Sequence, residues 1–288
     1  MPQNQLVIRT ALALLAFAGN SLLCRLALKA TTIDAATFTS IRLLSAAVTL
    51  WLILQITKGV RPTLGNWPSA VALFVYAAGF SLAYINLTAG TGALLLLGAV
   101  QITMIGAGLA KGERFTPLQI LGVAVAIAGL IGLVLPGLAA PPLSSAALMI
   151  VAGVAWGIYS LRGAGAADPL HVTAGNFLRT LPMTIVFSLV LFTHMQIDTW
   201  GFAYAVASGA ITSGIGYAIW YSVLPHLRAT QAATLQLSVP VIAAVAAVFL
   251  LGESASLRLV LASIAVLSGI ALVIQQRVVS EALNHWPD

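Results

Sequence analysis

Apolar residues in this chain come in runs of about twenty, separated by short breaks that contain glycine, proline or charged residues. A helix of about 20 residues crosses the hydrocarbon core of a bilayer. The pattern predicts ten transmembrane helices, at residues 6–27, 35–57, 67–88, 91–110, 116–136, 143–164, 171–194, 199–223, 229–251 and 256–276. Runs such as 93–100 and 241–251 contain no polar side chain. A barrel strand alternates apolar and polar residues, so we expect an all-α integral membrane protein.

Composition supports a surface that faces lipid. Only 7% of the residues are charged and 60% are hydrophobic, with a mean hydropathy of +1.03. A soluble domain carries about 25% charged residues, so this chain could not cover a water-facing surface. The first apolar run continues into Asn20, Ser21 and Arg25 without a clear cleavage site. We interpret that run as the first span and not as a removed signal peptide.

The net charge of +6 comes from scattered Lys and Arg residues, so we expect no nucleic-acid binding. Basic residues favour the cytoplasmic loops of membrane proteins. With the N-terminus inside, the cytoplasmic set has eight members: Arg9, Lys58, Arg61, Lys111, Arg114, Arg162, Arg228 and Arg277. The outer set has three: Arg25, Lys29 and Arg258. Both termini are therefore predicted in the cytoplasm. The single cysteine, Cys24, excludes an intrachain disulfide and a multi-cysteine metal site.

The two halves of the chain repeat one another. Gly112-Glu113 ends the fourth span and Gly252-Glu253 ends the ninth, 140 residues later. Arg42 and Arg179 each lie early in the second span of a half. Because each half has five spans, an odd number, the second half would enter the membrane from the opposite side. We expect two inverted five-helix units, residues 1–138 and 139–288, an architecture typical of secondary transporters with a central site.

Three stretches resemble a known family. They are FLLGESASLRLVLASIAVLSGIALVI at 249–274, its weaker partner GLAKGERFTPLQILGVAVAIAGLIGLVL at 108–135, and GVAWGIYSLRG at 153–163. They resemble the repeated EamA-type unit of the drug/metabolite transporter superfamily, and most of all its amino-acid exporter branch, which includes exporters of aromatic amino acids. The resemblance implies ten helices in inverted halves, a bacterial inner-membrane location, and export of amino acids or other small metabolites.

Polar groups at membrane depth are expensive, so each is a candidate for function. An amide can both donate and accept hydrogen bonds, which suits a zwitterion. Aromatic rings with polar tips can line a pocket. The predicted substrate-binding residues are Asn20, Tyr84, Gln101, Trp156, Tyr159, Asn176, Tyr217, Trp220 and Gln236. The alternatives are helix-to-helix hydrogen bonding for the amides and the interfacial aromatic belt for the rings.

A second set is predicted to serve gating or structure. It consists of the two intramembrane charges and three helix-bending prolines: Arg42, Arg179, Pro182, Pro225 and Pro240. All seven carboxylates fall at loops, span ends or the tail. We therefore predict that no buried carboxylate couples transport to protons.

The expected function is export of small polar metabolites, most of all amino acids, by alternating access through a cavity between the two units. An intramembrane enzyme would need a metal pair or a nucleophile and base at depth, and none is evident in the sequence. A channel would need charge rings or carbonyl filters. Channel, enzyme and scaffold remain the alternatives to a carrier. The expected partners are the lipid bilayer and a small-molecule substrate, with no metal or cofactor, in a monomer or weak homodimer.

Overall fold

The computed structural model describes residues 1–59, 64–110, 112, 115–137, 140–227 and 229–284. All regular secondary structure in these ranges is helical, and the predicted all-α membrane fold is confirmed. The first seven spans are α1 Gln3–Ala30, α2 Ala35–Lys58, α3 Trp67–Tyr84, α4 Ala89–Ala110, α5 Pro117–Val134, α6 Leu143–Gly163 and α7 Pro169–Val190. Glu113 of the first Gly-Glu turn lies outside the described residues, as do Lys111 and Arg114.

The eighth and ninth spans depart from simple helices. The eighth consists of α8 Thr199–Val206, a π-helix Ala207–Ile215 and α9 Gly216–Val223. The ninth is broken into α10 Ala229–Gln236 and α11 Ser238–Leu251, and the tenth is α12 Leu257–Asn284. Nine segments in the described part of the chain are long and apolar enough to cross a membrane, and α7 is not among them. That helix carries Arg179 and several polar groups, which lower its hydropathy.

Local signals explain where the helices begin and end. Asp34 caps α2 by accepting from the backbone N–H groups of the next turn, and Thr116 and Gln119 form a reciprocal capping box at the start of α5. Gly59 and Gly252 end α2 and α11 in the left-handed conformation, which glycine adopts at no steric cost. These caps satisfy backbone groups at the membrane boundaries.

The three predicted bending prolines have different surroundings. Pro240 lies in the first turn of α11, directly after the break at Leu237, so the interruption of the ninth span falls where the sequence predicts it. Pro225 lies in the 3-10 turn Leu224–His226 that ends the eighth span. Pro182 is exposed within α7, which continues through it.

Packing brings the helices into one bundle. α5 packs along α12, α2 against α7, and α4 against α11. α1 contacts α9 and α11, while α6 contacts α3 and α4. Small residues allow the closest approach: a Cβ built on Gly122 of α5 would lie 2.6 Å from the carbonyl oxygen of Gly269 in α12. Large apolar side chains such as Phe249, 82% exposed, cover the outside and face lipid.

Candidate functional site

A cavity of about 510 Å³ lies inside the bundle. Its walls come from α1, α3, α4, α6, α7, α10 and α11 and from the eighth span. The cavity reaches the surface at the turn after α6, where Ala164 and Gly165 are exposed, and at the exposed Pro225. None of its described lining residues carries a formal charge. The space is therefore an uncharged, one-sided pocket that reaches into the membrane-spanning part of the bundle.

Aromatic rings form one wall of the cavity. Trp156 of α6 stacks on Tyr159 and on Tyr217, with ring centroids 5.2 and 5.6 Å apart. Tyr76 of α3 lies 4.7 Å from the same indole. Phe17 of α1 contacts the ring of Tyr217 at 5.7 Å. These rings offer faces that can hold an apolar side chain or an ammonium group.

Asn20 is the centre of a buried hydrogen-bond network. Its Nδ2 donates to the hydroxyl of Tyr76 at 3.3 Å, and its Oδ1 accepts from Ser208 at 2.8 Å and Thr212 at 3.3 Å. Ser208 and Thr212 lie on the π-helix, whose wider turn is a frequent feature of functional sites. A Cβ on Gly209 would lie 1.9 Å from Ser45 Oγ, so this segment packs directly on α2.

A second polar cluster lines the cavity nearer its mouth. The hydroxyl of Tyr159 donates to Thr173 Oγ1 at 3.2 Å, and Thr173 and Tyr221 share a hydrogen bond of 3.0 Å. Asn176, on the same helix as Thr173, accepts from the backbone N–H of Asn66 at 2.9 Å. That bond ties α7 to the start of α3, and the Asn176 side chain also forms a hydrogen bond with Tyr159.

The opposite end of the bundle is closed by an ion pair. Arg25 Nε donates to Glu253 at 3.0 Å, and both side chains are nearly inaccessible. Arg25 also donates to the carbonyls of Tyr84 and Ile85 at the end of α3. The second Glu253 oxygen accepts from Ala89 N at 2.8 Å, at the start of α4. The pair therefore joins the ends of four spans.

Another ion pair lies on the side where the cavity opens. Lys58 at the end of α2 donates to Asp168 at 2.5 Å, and Asp168 also caps α7 through His171 N. Burial by itself would raise the pKa of Asp168. The hydrogen bonds from Lys58 and His171 outweigh that effect and lower this pKa below its ordinary value. The carboxylate is thus charged at neutral pH.

Most of the predicted site residues meet at the cavity. Those that line it are Asn20, Trp156, Tyr159, Asn176, Tyr217, Trp220, Gln236 and Pro225. Two predicted binding residues lie elsewhere. Tyr84 is fully buried and donates to the carbonyl of Ala89, beside the Arg25–Glu253 pair. Gln101 is half-buried on α4, away from the lining.

The two predicted intramembrane arginines are also placed differently. Arg179 donates to the carbonyls of Leu64 and Gly175, outside the lining. Arg42 is buried behind Tyr76 and Phe80, and its guanidinium carbon lies 4.8 Å from the Phe80 centroid. Arg42 and Arg179, each early in its span, therefore have different surroundings in the structure.

Sequence reasoning missed several lining residues, among them Phe17, Tyr76, Phe80 and Thr173. Tyr76 carried a usable signal. It is a polar-tipped aromatic nine residues into α3, and such a ring at membrane depth is a candidate for a pocket wall, as Trp156 is. The phenylalanines carried none, because an apolar ring in an apolar span is indistinguishable from one that faces lipid.

Comparison with known proteins adds independent findings. The model of the EamA-like transporter family matches residues 143–275, inside the second expected unit. An uncharacterized protein of Pseudomonas aeruginosa is 53% identical over 278 residues, covering 96% of this chain and 97% of its own length. An uncharacterized transporter of Archaeoglobus fulgidus is 26% identical, covering 77% of this chain and 83% of its own.

A solved crystal structure superposes on this fold. The TM-score is 0.67 at 16% identity, covering 96% of this chain and 99% of the other. At that identity the likeness concerns the fold alone.

Proposed function

Because the chain belongs to the EamA-like transporter family, we propose that it is a secondary transporter that exports small polar metabolites, amino acids in particular, by alternating access. The family makes it an integral membrane protein that moves a small molecule across a lipid bilayer.

One observation carries the proposal: the central cavity is open at one end and closed at the other. Alternating access requires a site that is exposed to one side at a time. The mouth lies at Ala164 and Pro225, whereas at the opposite end the lining residues Ser21, Phe80 and Ala93 are buried and the Arg25–Glu253 pair joins the helix ends beyond them. A pore open to both sides would favour a channel instead.

The lining supports an amino acid as the solute. Asn20, Asn176 and Gln236 provide amide donors and acceptors, which can bind the polar ends of a zwitterion without adding a charge. The rings of Trp156 and Tyr217 can contact the side chain or the ammonium group. We assign substrate contact to these residues, and to Tyr159 and Trp220 beside them.

The helix packing supports two inverted units, 1–138 and 139–288. In two such units, each span corresponds to the span five places away in the other unit, so that α1 corresponds to α6 and α3 to the eighth span. The contact between α3 and α6 then corresponds to the contact between the eighth span and α1. Likewise, the contact of α4 with α6 becomes that of α11 with α1, while the α2–α7 and α5–α12 contacts map onto themselves. A cavity between such halves is where inverted-repeat transporters hold their solute.

The proposed orientation places both termini in the cytoplasm of a bacterial inner membrane. The excess of Lys and Arg on that side supports it. The cavity mouth is then cytoplasmic, which suits the loading step of an exporter, and the Arg25–Glu253 pair lies on the outer side. Labelling of cysteines introduced at the two Gly-Glu turns tests this arrangement, since it requires the turns on opposite sides.

Flux into proteoliposomes, measured on a panel of amino acids, tests the function. Saturable uptake with exchange supports a carrier, linear flux would indicate a channel, and no flux of any amino acid would contradict the proposed substrate class. Trp156→Ala removes a cavity ring and should abolish most of the saturable flux. Trp200→Ala is the matched control, because Trp200 is exposed outside the cavity.

A further inference from the structure

The Arg42 guanidinium is a buried cation with unused hydrogen-bonding capacity. Arg42 is 2% exposed, and its Nε and Nη1 have no hydrogen-bond partner among the described residues. An arginine stays protonated in proteins, and an uncompensated charge in a low-dielectric interior is costly. Contacts with the Phe80 and Tyr76 rings, 4.8 and 5.4 Å from the guanidinium carbon, offset part of that cost.

Tyr76 connects this cation to the cavity. The Tyr76 oxygen accepts from Arg42 Nη2 at 3.0 Å and from Asn20 Nδ2 at 3.3 Å. A hydroxyl has two acceptor sites and one proton, and both partners are N–H donors. The proton of Tyr76 is therefore left to donate. Because Tyr76 lines the cavity, this donor is available to a bound solute, and Arg42 polarises it.

The charges around the cavity favour an anion at this position. The described lining contains no Asp or Glu that could attract a cation, and Arg25 and Glu253 at the closed end neutralise each other. Arg42 is thus the source of a positive field at the deep end of the cavity. In a low-dielectric site, such a field acts strongly on a charged ligand.

We propose that the carboxylate of the transported solute binds at this end of the cavity, accepting the hydrogen bond of Tyr76 under the positive charge of Arg42. The inference rests on the proposed transport function and narrows its substrate class to carboxylate-bearing solutes. Amines that lack a carboxylate are therefore excluded as transported substrates. The aromatic wall formed by Trp156 and Tyr217 then receives the rest of the solute.

Three related ligands separate the two ends of an amino acid: L-phenylalanine, 3-phenylpropanoate, which lacks the amine, and 2-phenylethylamine, which lacks the carboxylate. Binding to the purified protein in detergent is measured by fluorescence excited at 295 nm, since Trp156 and Trp220 line the cavity. The wild-type protein should bind the two carboxylates at least about tenfold more tightly than the amine, as expected for a charge-assisted hydrogen bond.

Three variants test the roles of Arg42 and Tyr76, and a fourth is the control. Arg42→Gln should lower the carboxylate-to-amine preference by about tenfold or more, and Tyr76→Phe should lower it while keeping the ring. Arg42→Lys, which retains the charge, should keep part of the preference. Arg179→Gln is the matched control, because Arg179 bonds to backbone carbonyls outside the cavity. The preference is a ratio of affinities, so general loss of folded protein does not change it.

The outcomes are distinguishable. If the wild-type protein binds none of the three ligands, the proposed amino-acid function and this inference both fail. If phenylalanine binds but 2-phenylethylamine binds equally well, or if Arg42→Gln keeps the wild-type preference, only the anion site is overturned. A loss of preference in Arg42→Gln with Arg179→Gln unchanged supports it.

Discussion

The Arg25 guanidinium lies 3.0 Å from the Glu253 carboxylate and joins the end of the first span to the end of the ninth. The chain's single cysteine, Cys24, is the residue before Arg25 and is completely buried. Removing one member of a buried ion pair leaves the other charge uncompensated, at a cost of about 3–5 kcal/mol. The closed end of the bundle should therefore open when this pair is broken.

Glu253→Gln is expected to increase the labelling rate of Cys24 by a membrane-impermeant maleimide by about tenfold or more, because the closed state loses its ion pair. Asp168→Asn is the control, since it breaks a different interhelical ion pair, with Lys58, on the open side. It should leave Cys24 as slow to react as in the wild type. Equal labelling of both variants would contradict a closing role for Glu253.

Replacement of Asn20 tests the buried network. Asn20→Ala removes one donor and one acceptor that serve Tyr76, Ser208 and Thr212, so it should lower the free energy of unfolding by about 1–3 kcal/mol. Asn86→Ala, which loses a hydrogen bond to Ser145, should cost only about 0.6 kcal/mol. Thermal unfolding in detergent compares the two. A larger cost for Asn86 would show that the network is not a centre of stability.

Gly209 tests how tightly the π-helix packs on α2. A Cβ there would lie 1.9 Å from Ser45 Oγ and 2.1 Å from the Arg42 carbonyl oxygen, so Gly209→Ala should destabilise the protein by about 1–3 kcal/mol. Gly106→Ala, in an exposed helical position with open space around it, should stabilise by about 0.5–1 kcal/mol. If both substitutions shift the unfolding midpoint in the same direction from the wild-type value, the close contact at Gly209 is refuted.

The Asp34 carboxyl predicts how the stability of the folded protein changes with pH. Burial alone would raise the Asp34 pKa, but hydrogen bonds from Thr37, Gln196 and Ala36 outweigh it and hold that pKa below its ordinary value. A lowered folded-state pKa contributes stability that is present above about pH 4 and is lost as pH falls further.

Asp34→Asn keeps a capping oxygen but cannot titrate. It should unfold more easily than the wild type at pH 7, by about 0.5–1 kcal/mol, and the difference should shrink below about pH 4. Unfolding midpoints measured from pH 7 to pH 3 follow this convergence. A difference that stays constant over that range would mean that the Asp34 charge does not contribute.

The sequence by itself determined that this is an all-α integral membrane protein, as the described residues confirm. Each apolar run must satisfy its own backbone hydrogen bonds in lipid, so its helical state depends on that segment alone. It also pointed to eight of the residues that line the cavity, because a polar or polar-tipped group at depth, such as Asn20 or Trp156, is costly unless it is enclosed.

Only the tertiary structure decided which faces enclose the cavity. Tyr76 and Tyr84 lie on one helix, yet Tyr76 lines the cavity while Tyr84 packs beside the closed end. Arg42 and Arg179 each lie early in a span, but Arg42 packs against the Phe80 ring while Arg179 donates to the backbone carbonyls of Leu64 and Gly175. The π-helix around Gly209 likewise lies against α2. These differences depend on neighbouring helices from distant parts of the chain, and the pattern within one span contains no information about its neighbours.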